Sequence, residues 1–318
     1  MTVNPESTLP KSAERVDEQH RFREVIEFFG EGRDRLAGCT HIPLDPPVAG
    51  LVVCPPLFNE YLKNYRREVD LSRVLAARGV AVQRFAYRGS ANSDGAPEDM
   101  TFESLCEDAL SATRRLREAT GVERVAFAGT RFGALVAATV ASRCEGAPVV
   151  LLEPVLAADR FFAEGLRAKN SVQVMQTSSG GSADGAPPSQ QHFVEVMKST
   201  GAIDVVGYTL GYELYRSSSG RTLVDELGSS PRPVLVVRLG AGGQPGRDLE
   251  NAEATWRRDG FDVEIESAGD RELWWFAISY DTQREEATPL PRGLADNDPV
   301  VSLVSAWLSR SLASGERL

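Results

Sequence analysis

The sequence predicts an α/β protein with a mostly parallel sheet of about eight strands, flanked by helices on both faces. Short apolar runs of the length of buried strands recur at residues 50–54, 80–86, 125–128, 149–152 and 233–237. Segments with helical periodicity separate most of these runs. Because parallel neighbours need a crossover connection, usually a helix, this alternation favours a parallel sheet.

The first part of the chain is predicted to differ from this pattern. Residues 1–21 are polar and charged, and we expect them to form a flexible leader. Residues 24–43 hold two β-rich runs around a turn rich in glycine and charge. This arrangement predicts a β-hairpin ahead of the parallel strands.

Residues 157–230 interrupt the alternation of strands and helices. Helical stretches there flank a low-complexity segment, S-S-G-G-S-A-D-G-A-P-P-S, at 178–189. We interpret 157–230 as a helical cap inserted over the sheet. The core is then formed by residues 22–156 and 231–318.

The composition limits the possible partners. A chain of 318 residues with 42% hydrophobic residues can form one large α/β domain with an insertion. The net charge of −10 repels the phosphates of nucleic acids and of anionic lipids, so neither is an expected partner. No apolar run approaches the roughly 20 residues needed to span a bilayer. Since the first residues lack the apolar centre of a signal peptide, we expect a cytoplasmic protein without membrane insertion.

The cysteines indicate neither a metal site nor a disulfide framework. Cys39, Cys54, Cys106 and Cys144 are far apart and include no C-x-x-C pair. A chain of this length does not need disulfides to be stable. The sequence therefore predicts no metal and no cofactor.

The most specific motif follows the strand at 125–128. The chain turns through G-T-R-F-G at 129–133 into an apolar helical run at 134–141. A strand, G-x-S-x-G and a helix in this order form the nucleophile elbow of α/β-hydrolases, so this context predicts that fold. The central residue here is Arg131. A guanidinium group stays protonated and has no free electron pair, so Arg131 cannot attack a carbonyl carbon.

The other two members of a Ser-His-Asp triad are also missing from their expected places. The acid of this fold usually follows the strand that reads 234–237 here, but the loop at 238–248 is glycine-rich and its first acid comes late. No histidine follows the predicted last strand, residues 261–266, because the histidines of the chain are His20, His41 and His192. We therefore expect no acyl-transfer chemistry of the usual type.

Two roles for Arg131 remain open. The elbow begins a helix, whose N–H groups and dipole favour an anion, and a guanidinium group would complete a receptor for a carboxylate or a phosphate. Alternatively, Arg131 pairs with a carboxylate of the protein, for which Glu60 and Glu153 are the candidates near the rim of the sheet. The two roles can coexist.

Cys54 and Arg88 are weaker candidates for the site. Cys54 lies where this fold places its oxyanion loop, but a thiol nucleophile needs a base, and His41 is the only histidine expected near it. A buried, inert cysteine is the stronger expectation. Arg88 is expected to anchor a loop and to add positive charge near the site.

Two aromatic residues complete the set of candidates. Phe132 directly follows Arg131 and is a candidate ligand contact. Trp274 belongs to the aromatic run W-W-F at 274–276. It either packs in the core beneath the cap, which is the safer prediction, or contacts a ligand or a partner protein.

From about residue 22 onward, the chain resembles the hydrolase-like proteins encoded with exosortase systems, in the serine-aminopeptidase-like part of the α/β-hydrolase superfamily. The likeness is carried by C-P-P-L-F-N-E at 54–60, L-E-P-V-L at 152–156, V-G-Y-T-L at 206–210, and an elbow with arginine at its centre. The resemblance implies a role in the export of polysaccharide or of sorted proteins. The word hydrolase in such names follows the fold and does not establish activity.

The sequence therefore predicts a non-hydrolytic protein that binds a small anionic or acyl-bearing ligand between sheet and cap. Arg131 would contact an anion, with Glu60 and Glu153 as orienting carboxylates. One alternative is an enzyme, a hydrolase or acyltransferase among others, that uses non-standard residues such as Glu60 or Cys54. Another is an interaction protein of an export or biosynthetic pathway, whose cap and tryptophan-rich loop bind a protein partner.

Overall fold

A computed structural model describes residues 12–178, 188–239, 245–269, 294 and 298–313 of the chain. The strands are β1 (Ser12–Asp17), β2 (Phe22–Phe29), β3 (Leu36–Pro43), β4 (Ala49–Cys54), β5 (Val80–Phe85), β6 (Val125–Thr130), β7 (Val149–Leu152), β8 (Ala202–Val205), β9 (Tyr208–Gly211), β10 (Pro233–Leu239) and β11 (Asp262–Ala268). The helices are α1 (Asn59–Ala77), α2 (Phe102–Thr120), α3 (Gly133–Ser142), α4 (Ala158–Ser178), α5 (Gln190–Thr200), α6 (Tyr212–Ser218), α7 (Leu223–Leu227), α8 (Arg247–Arg258) and α9 (Pro299–Ala313).

The central sheet has nine strands in the order β1-β2-β3-β5-β4-β6-β7-β10-β11. Six neighbouring strands run parallel, in the order β5, β4, β6, β7, β10 and β11. The other three extend the sheet in antiparallel fashion, and β2 and β3 form the predicted hairpin. The predicted fold class is confirmed, with one strand more than the eight expected.

The additional strand is β1, which lies within residues 1–21, the segment predicted to be a flexible leader. Its residues pair in register with β2, from Ser12 opposite Glu27 to Asp17 opposite Phe22. Most side chains of β1 are exposed, so the strand carries no apolar pattern that a sequence could reveal. Backbone hydrogen bonding to the edge of the sheet orders it instead.

Two layers of helices enclose the sheet. Helices α1 and α9 pack on one face, and α2, α3 and α8 pack on the other. All six residues of the central strand β6 are buried, as expected for a strand covered on both faces. Burial of each large apolar side chain in these layers contributes about 1.5–3 kcal/mol. None of the helices among the described residues is long and apolar enough to cross a bilayer.

Local capping interactions mark both ends of helix α2. The hydroxyl of Thr101 accepts a hydrogen bond from the Ser104 backbone N–H, and the Ser104 hydroxyl accepts one from the N–H of Thr101. This reciprocal cap satisfies two N–H groups that the helix leaves unpaired. Gly121 ends the helix in the left-handed region, with φ of 73°.

The segment predicted as the cap, residues 157–230, lies between β7 and β10 and contains α4 to α7. It also contains an antiparallel pair, β8 and β9, in a segment predicted to be helical. The low-complexity part at 179–187 lies outside the described residues. Phe161 and Phe162 of α4 pack against Phe132 at the start of α3, which attaches this segment to the core.

Candidate functional site

The turn between β6 and α3 places Arg131 at its tip. The backbone of Arg131 has φ of 53°, a left-handed conformation that costs a residue with a side chain about 1–3 kcal/mol. Its N–H donates to the carbonyl of Leu152 over 2.9 Å, and its own carbonyl accepts from Ala134 and Val155 over 3.1 and 3.2 Å. The strained turn typical of a nucleophile elbow is therefore present, with arginine at its centre.

The glycines on either side of the turn allow three backbone segments to come close together. A Cβ atom added to Gly129 would lie 2.3 Å from the carbonyl oxygen of Gly133. A Cβ atom on Gly133 would lie 2.3 Å from the carbonyl oxygen of Cys54 at the end of β4. Neither contact is sterically possible, so both positions require glycine in this fold.

The side chain of Arg131 lies between two carboxylates. Its Nε donates to Oε1 of Glu60 over 3.1 Å, and its Nη2 donates to Oε2 of Glu164 over 3.4 Å. Glu60 lies in the first turn of α1 and its side chain is fully buried, whereas the Glu164 side chain on α4 is 35% exposed. Arg131 therefore links the core, through Glu60, to the cap, through Glu164.

Glu153 has a different role from Glu60. It directly follows β7 with φ of 40°, and its N–H donates to the carbonyl of Val237 over 2.7 Å. Its carboxylate accepts the N–H of Leu239 over 2.7 Å. Glu153 thus connects the carboxyl ends of β7 and β10.

Phe132 is buried too deeply for its ring to line an open site. Its side chain has no exposed surface. The ring centroid lies 5.1 and 5.6 Å from those of Phe161 and Phe162, and 6.3 Å from that of Phe102. The ring of Phe132 therefore joins core and cap, and only its backbone is positioned as in an elbow.

Cys54 lies at the end of β4, as expected, but it is sealed inside the protein. The thiol has no exposed surface, and burial raises its pKa well above the ordinary value. A thiolate is therefore strongly disfavoured at neutral pH. This environment is typical of a structural cysteine.

The three histidines of the chain lie in other parts of the molecule. His41, in β3, faces Glu24, with its Nδ1 3.3 Å from the carboxylate. His20 contacts Asp17, and His192 is exposed on α5. Within the described residues, none of them contacts Cys54 or Arg131.

Arg88 anchors a loop on the α2 side of the sheet. Its Nε donates to Oδ1 of Asp108 over 2.6 Å, and its backbone N–H donates to Oδ2 over 2.8 Å. Its Nη2 also donates to Glu107 over 2.9 Å. Burial raises the pKa of Asp108 to about 6, which Arg88 opposes. Arg88 lines a cavity beside α2 rather than the surroundings of Arg131.

A cavity of about 480 Å³ opens between the start of α1, the loop at 89–100 and the β8–β9 pair of the cap. Leu57 and Phe58, just ahead of α1, form one wall, and Met100 lies on the core side. Tyr208 and Thr209 of the β8–β9 pair close it from the cap. Phe58 packs against Tyr208, with ring centroids 6.2 Å apart, so the walls on the two sides touch. Phe58 and Tyr61 line the cavity, whereas Arg131, Glu60 and Glu164 do not.

Two parts of the predicted site cannot be placed. Trp274 and the rest of the aromatic run lie outside the described residues, as do residues 240–244 of the glycine-rich loop. Conversely, sequence reasoning missed Glu164. Its position three residues after the buried Phe161 puts both side chains on one face of a helix, which was the available signal.

Comparison with known proteins supports the fold. The structure is similar to that of Est1E from Butyrivibrio proteoclasticus with bound ferulic acid, with a TM-score of 0.59 and 14% identity over 90% of this chain and 99% of that one. It is also similar to an alpha/beta hydrolase from a Penicillium species (0.57; 15% identity; 91% and 99%). A third similar structure is a proline iminopeptidase-related protein from Thermus thermophilus (0.53; 19% identity; 91% and 99%).

Neither a protein-family model nor a curated protein matches the chain. At these identities the structural likeness establishes the fold alone. The protein has the α/β-hydrolase fold.

Proposed function

We propose that this protein is a non-hydrolytic member of the α/β-hydrolase fold class that binds an acyl-bearing ligand between its core and its cap. One observation carries the proposal. The residue at the tip of the elbow is Arg131, and its guanidinium group is engaged by Glu60 and Glu164. The position that supplies the nucleophile in hydrolases is thereby used to join core and cap.

The charges around Arg131 favour an uncharged acyl group over an anion. An anion receptor needs positive charge in excess, but Arg131 already faces two carboxylates at 3.1 and 3.4 Å. A further anion would have to approach this position against the negative charge of both carboxylates. The sequence-based role of Arg131 as an anion contact is therefore the less supported of its two roles.

The cavity between core and cap has the chemistry of an acyl site. Its volume of about 480 Å³ lies in the range typical of small-molecule sites. Leu57, Phe58, Met100 and Tyr208 supply apolar surface. The backbone and the hydroxyl groups of the loop at 89–95 supply polar contacts at one side. An acyl chain would bury its apolar surface here, at about 0.8 kcal/mol for each CH₂ group.

Catalysis by Cys54 or Glu60 is less well supported than binding. Cys54 has no exposed surface and no histidine beside it in the part of the chain that the structure describes. Glu60 is fully buried and bound to Arg131. Neither group can reach a substrate in this arrangement.

The likeness to hydrolase-like proteins of exosortase systems adds a pathway to the proposal. Two features that carry the likeness, the glutamate of C-P-P-L-F-N-E and the arginine of the elbow, contact each other here as Glu60 and Arg131. We therefore propose a cytoplasmic accessory role in the export of polysaccharide or sorted proteins. The four cysteines are free, as is usual in a reducing compartment.

The proposal is tested by measuring hydrolysis and binding on the same preparation. The purified protein is assayed for turnover of p-nitrophenyl butyrate and octanoate, and its thermal unfolding is followed with increasing octanamide. We expect ester turnover at the level of buffer. We also expect a saturable rise in Tm with octanamide, because a ligand that binds only the folded state stabilises it.

A matched pair of variants locates the binding. Thr209→Trp places a large side chain in the cavity from the cap side and should abolish the rise in Tm. Gln191→Trp adds the same side chain at an exposed position of α5 and should leave the rise unchanged. Esterase activity that remains with the protein through successive purification steps would overturn the non-hydrolytic assignment. An equal octanamide response in both variants would overturn the assignment of the cavity.

A further inference from the structure

A second cavity, of about 360 Å³, lies beneath α1 at the antiparallel end of the sheet. Strands β2, β3 and β5 form its floor, and residues 61–73 of α1 form its roof. Its lining includes the side chains of Glu24, His41, Tyr65, Arg66, Arg73 and Arg84. Neither Arg131 nor Glu60 lines it.

Arg84 of β5 is the unusual residue of this cavity. It is only 7% exposed, and its guanidinium carbon lies 4.5 Å from the centroid of the Tyr65 ring. Among the described residues, its guanidinium group has no hydrogen-bond acceptor and no ion-pair partner, and its Nε is completely buried. A buried cation is costly unless it is paired, so an arginine in this state has an unused capacity to bind an anion.

The other arginines of the cavity already have partners. Nε of Arg66 lies 2.7 Å from the carboxylate of Asp70. Nε of Arg73 lies 2.7 Å from that of Glu24. Because the two charges of each ion pair compensate each other, the excess positive charge of the cavity resides on Arg84.

Two further titratable groups near Arg84 do not remove this excess. Burial lowers the pKa of His41, which therefore adds no charge at neutral pH. Burial raises the pKa of Glu68, on the adjacent part of α1, to about 7, while Arg84 and Arg67 oppose the shift. Glu68 is therefore only partly ionised at neutral pH and does not contact Arg84 closely enough to form an ion pair.

We propose that this cavity is a binding site for a small oxyanion, a carboxylate or a phosphate group, held by the guanidinium group of Arg84. A planar guanidinium group presents paired donors that match two oxygens of such a group. Tyr65 stacks on Arg84, and Tyr61 lines the same cavity, so the ring of an aromatic acid would find aromatic neighbours. The site is independent of the ligand proposed for the cavity between core and cap.

The test is calorimetric titration of the full chain with benzoate and phenyl phosphate at constant ionic strength. Acetate and inorganic phosphate serve as the same anions without a ring. We expect saturable binding of at least one aromatic anion, stronger than that of its ring-free counterpart. Comparison of benzoate with phenyl phosphate decides whether the cavity takes a carboxylate or a phosphate.

Two variants assign the binding to Arg84. Arg84→Met should weaken it by about tenfold or more, as expected for loss of a charge-assisted contact. Arg114→Met removes an exposed arginine of α2 and should not alter it. Equal affinity in wild type and Arg84→Met would overturn the proposal, as would binding that does not saturate.

A third variant keeps the proposal testable if Arg84→Met does not fold. Glu68→Gln leaves Arg84 in place and removes a carboxylate that interacts with it electrostatically. At pH 8, where Glu68 is mostly ionised, the variant should bind the anion several-fold more tightly, whereas at pH 5 the two proteins should bind alike. An unchanged affinity at pH 8 would contradict the assignment to Arg84.

Discussion

The Nε atom of Arg131 lies 3.1 Å from Oε1 of Glu60, and this contact joins the turn after β6 to the first turn of α1. The Glu60 side chain is fully buried, so groups of the protein rather than water must stabilise a charge on its carboxylate. Glu164 adds a second carboxylate from the cap at 3.4 Å. An elbow that retains its strained backbone thus holds a residue engaged in structural contacts.

Loss of the Arg131 side chain should destabilise the protein through Glu60. In Arg131→Met the buried carboxylate loses a charge partner, and we expect the free energy of unfolding to fall by about 3–5 kcal/mol. Adding Glu60→Gln should recover part of this loss, because a neutral amide costs less to bury. Urea denaturation of both variants measures the effect. If the double variant Arg131→Met/Glu60→Gln were less stable than Arg131→Met alone, the destabilisation would not arise from the unpaired Glu60 carboxylate.

The Glu164 contact should contribute much less than the Glu60 contact. Because the Glu164 side chain is 35% exposed, water screens its charge, and Glu164→Gln should cost no more than about 1 kcal/mol. This variant is a matched control for the previous one, since it removes a carboxylate from the same guanidinium group. A cost equal to that of Arg131→Met would show that the cap contact dominates.

Restoring a serine at the elbow should not restore ester hydrolysis. In Arg131→Ser the new hydroxyl has no histidine to accept its proton, since His41 contacts Glu24 and His192 is exposed on α5. The measurement is turnover of p-nitrophenyl butyrate by the variant and by wild type. Turnover at least about a hundredfold above buffer, abolished by a serine-directed phosphonate, would show that another base serves the site.

The glycines of the elbow should not tolerate a methyl group. Gly129→Ala and Gly133→Ala each place a Cβ atom 2.3 Å from a backbone oxygen, so the free energy of unfolding should fall by more than about 2 kcal/mol. Gly269→Ala, whose added Cβ has no atom of the described residues within 4 Å, should change it by less than about 0.5 kcal/mol. Thermal and urea unfolding of the three variants compare them, and equal stabilities would refute the close packing of the elbow.

Glu68 should make the protein less stable as the pH rises. Burial raises its pKa from 4.5 to about 7, so between these values the folded state binds a proton that the unfolded state releases. The free energy of unfolding therefore falls by on the order of 3 kcal/mol between about pH 4.5 and 7. Above pH 7 the contribution of Glu68 no longer changes with pH. In Glu68→Gln this contribution is absent. Urea titrations of both proteins at pH 5 and 8 measure it, and parallel pH profiles would contradict it.

The thiol of Cys54 should resist modification in the folded protein. Burial raises its pKa and removes its exposed surface, whereas Cys144 is partly exposed. Treatment with iodoacetamide followed by peptide mass mapping should label Cys144 first and Cys54 only after unfolding. Rapid labelling of Cys54 in the folded state would reopen its candidacy as a nucleophile.

The elbow, the α2 caps and the hairpin were predictable because each depends on neighbours in the chain. A strand followed by G-x-x-x-G and an apolar helix has few other structural solutions, and Thr101 and Gly121 mark the ends of a helix through local hydrogen bonds. The edge strand β1 was not predictable. Its exposed side chains carry no pattern, and only the adjacent strand β2 orders it.

By itself, the sequence determined the fold class, the strand-to-helix turn and the presence of arginine at its tip, since these depend on local patterns and on residue identity. Only the tertiary structure decided what Arg131 contacts. Glu60 and Glu153 were equal candidates, and the fold brought Glu60 of α1 and Glu164 of α4 to the guanidinium group. It also left Arg84, an ordinary residue of a predicted strand, buried without an ion-pair partner among the described residues. Charge pairing is set by distances between segments far apart in the chain, which no local pattern encodes.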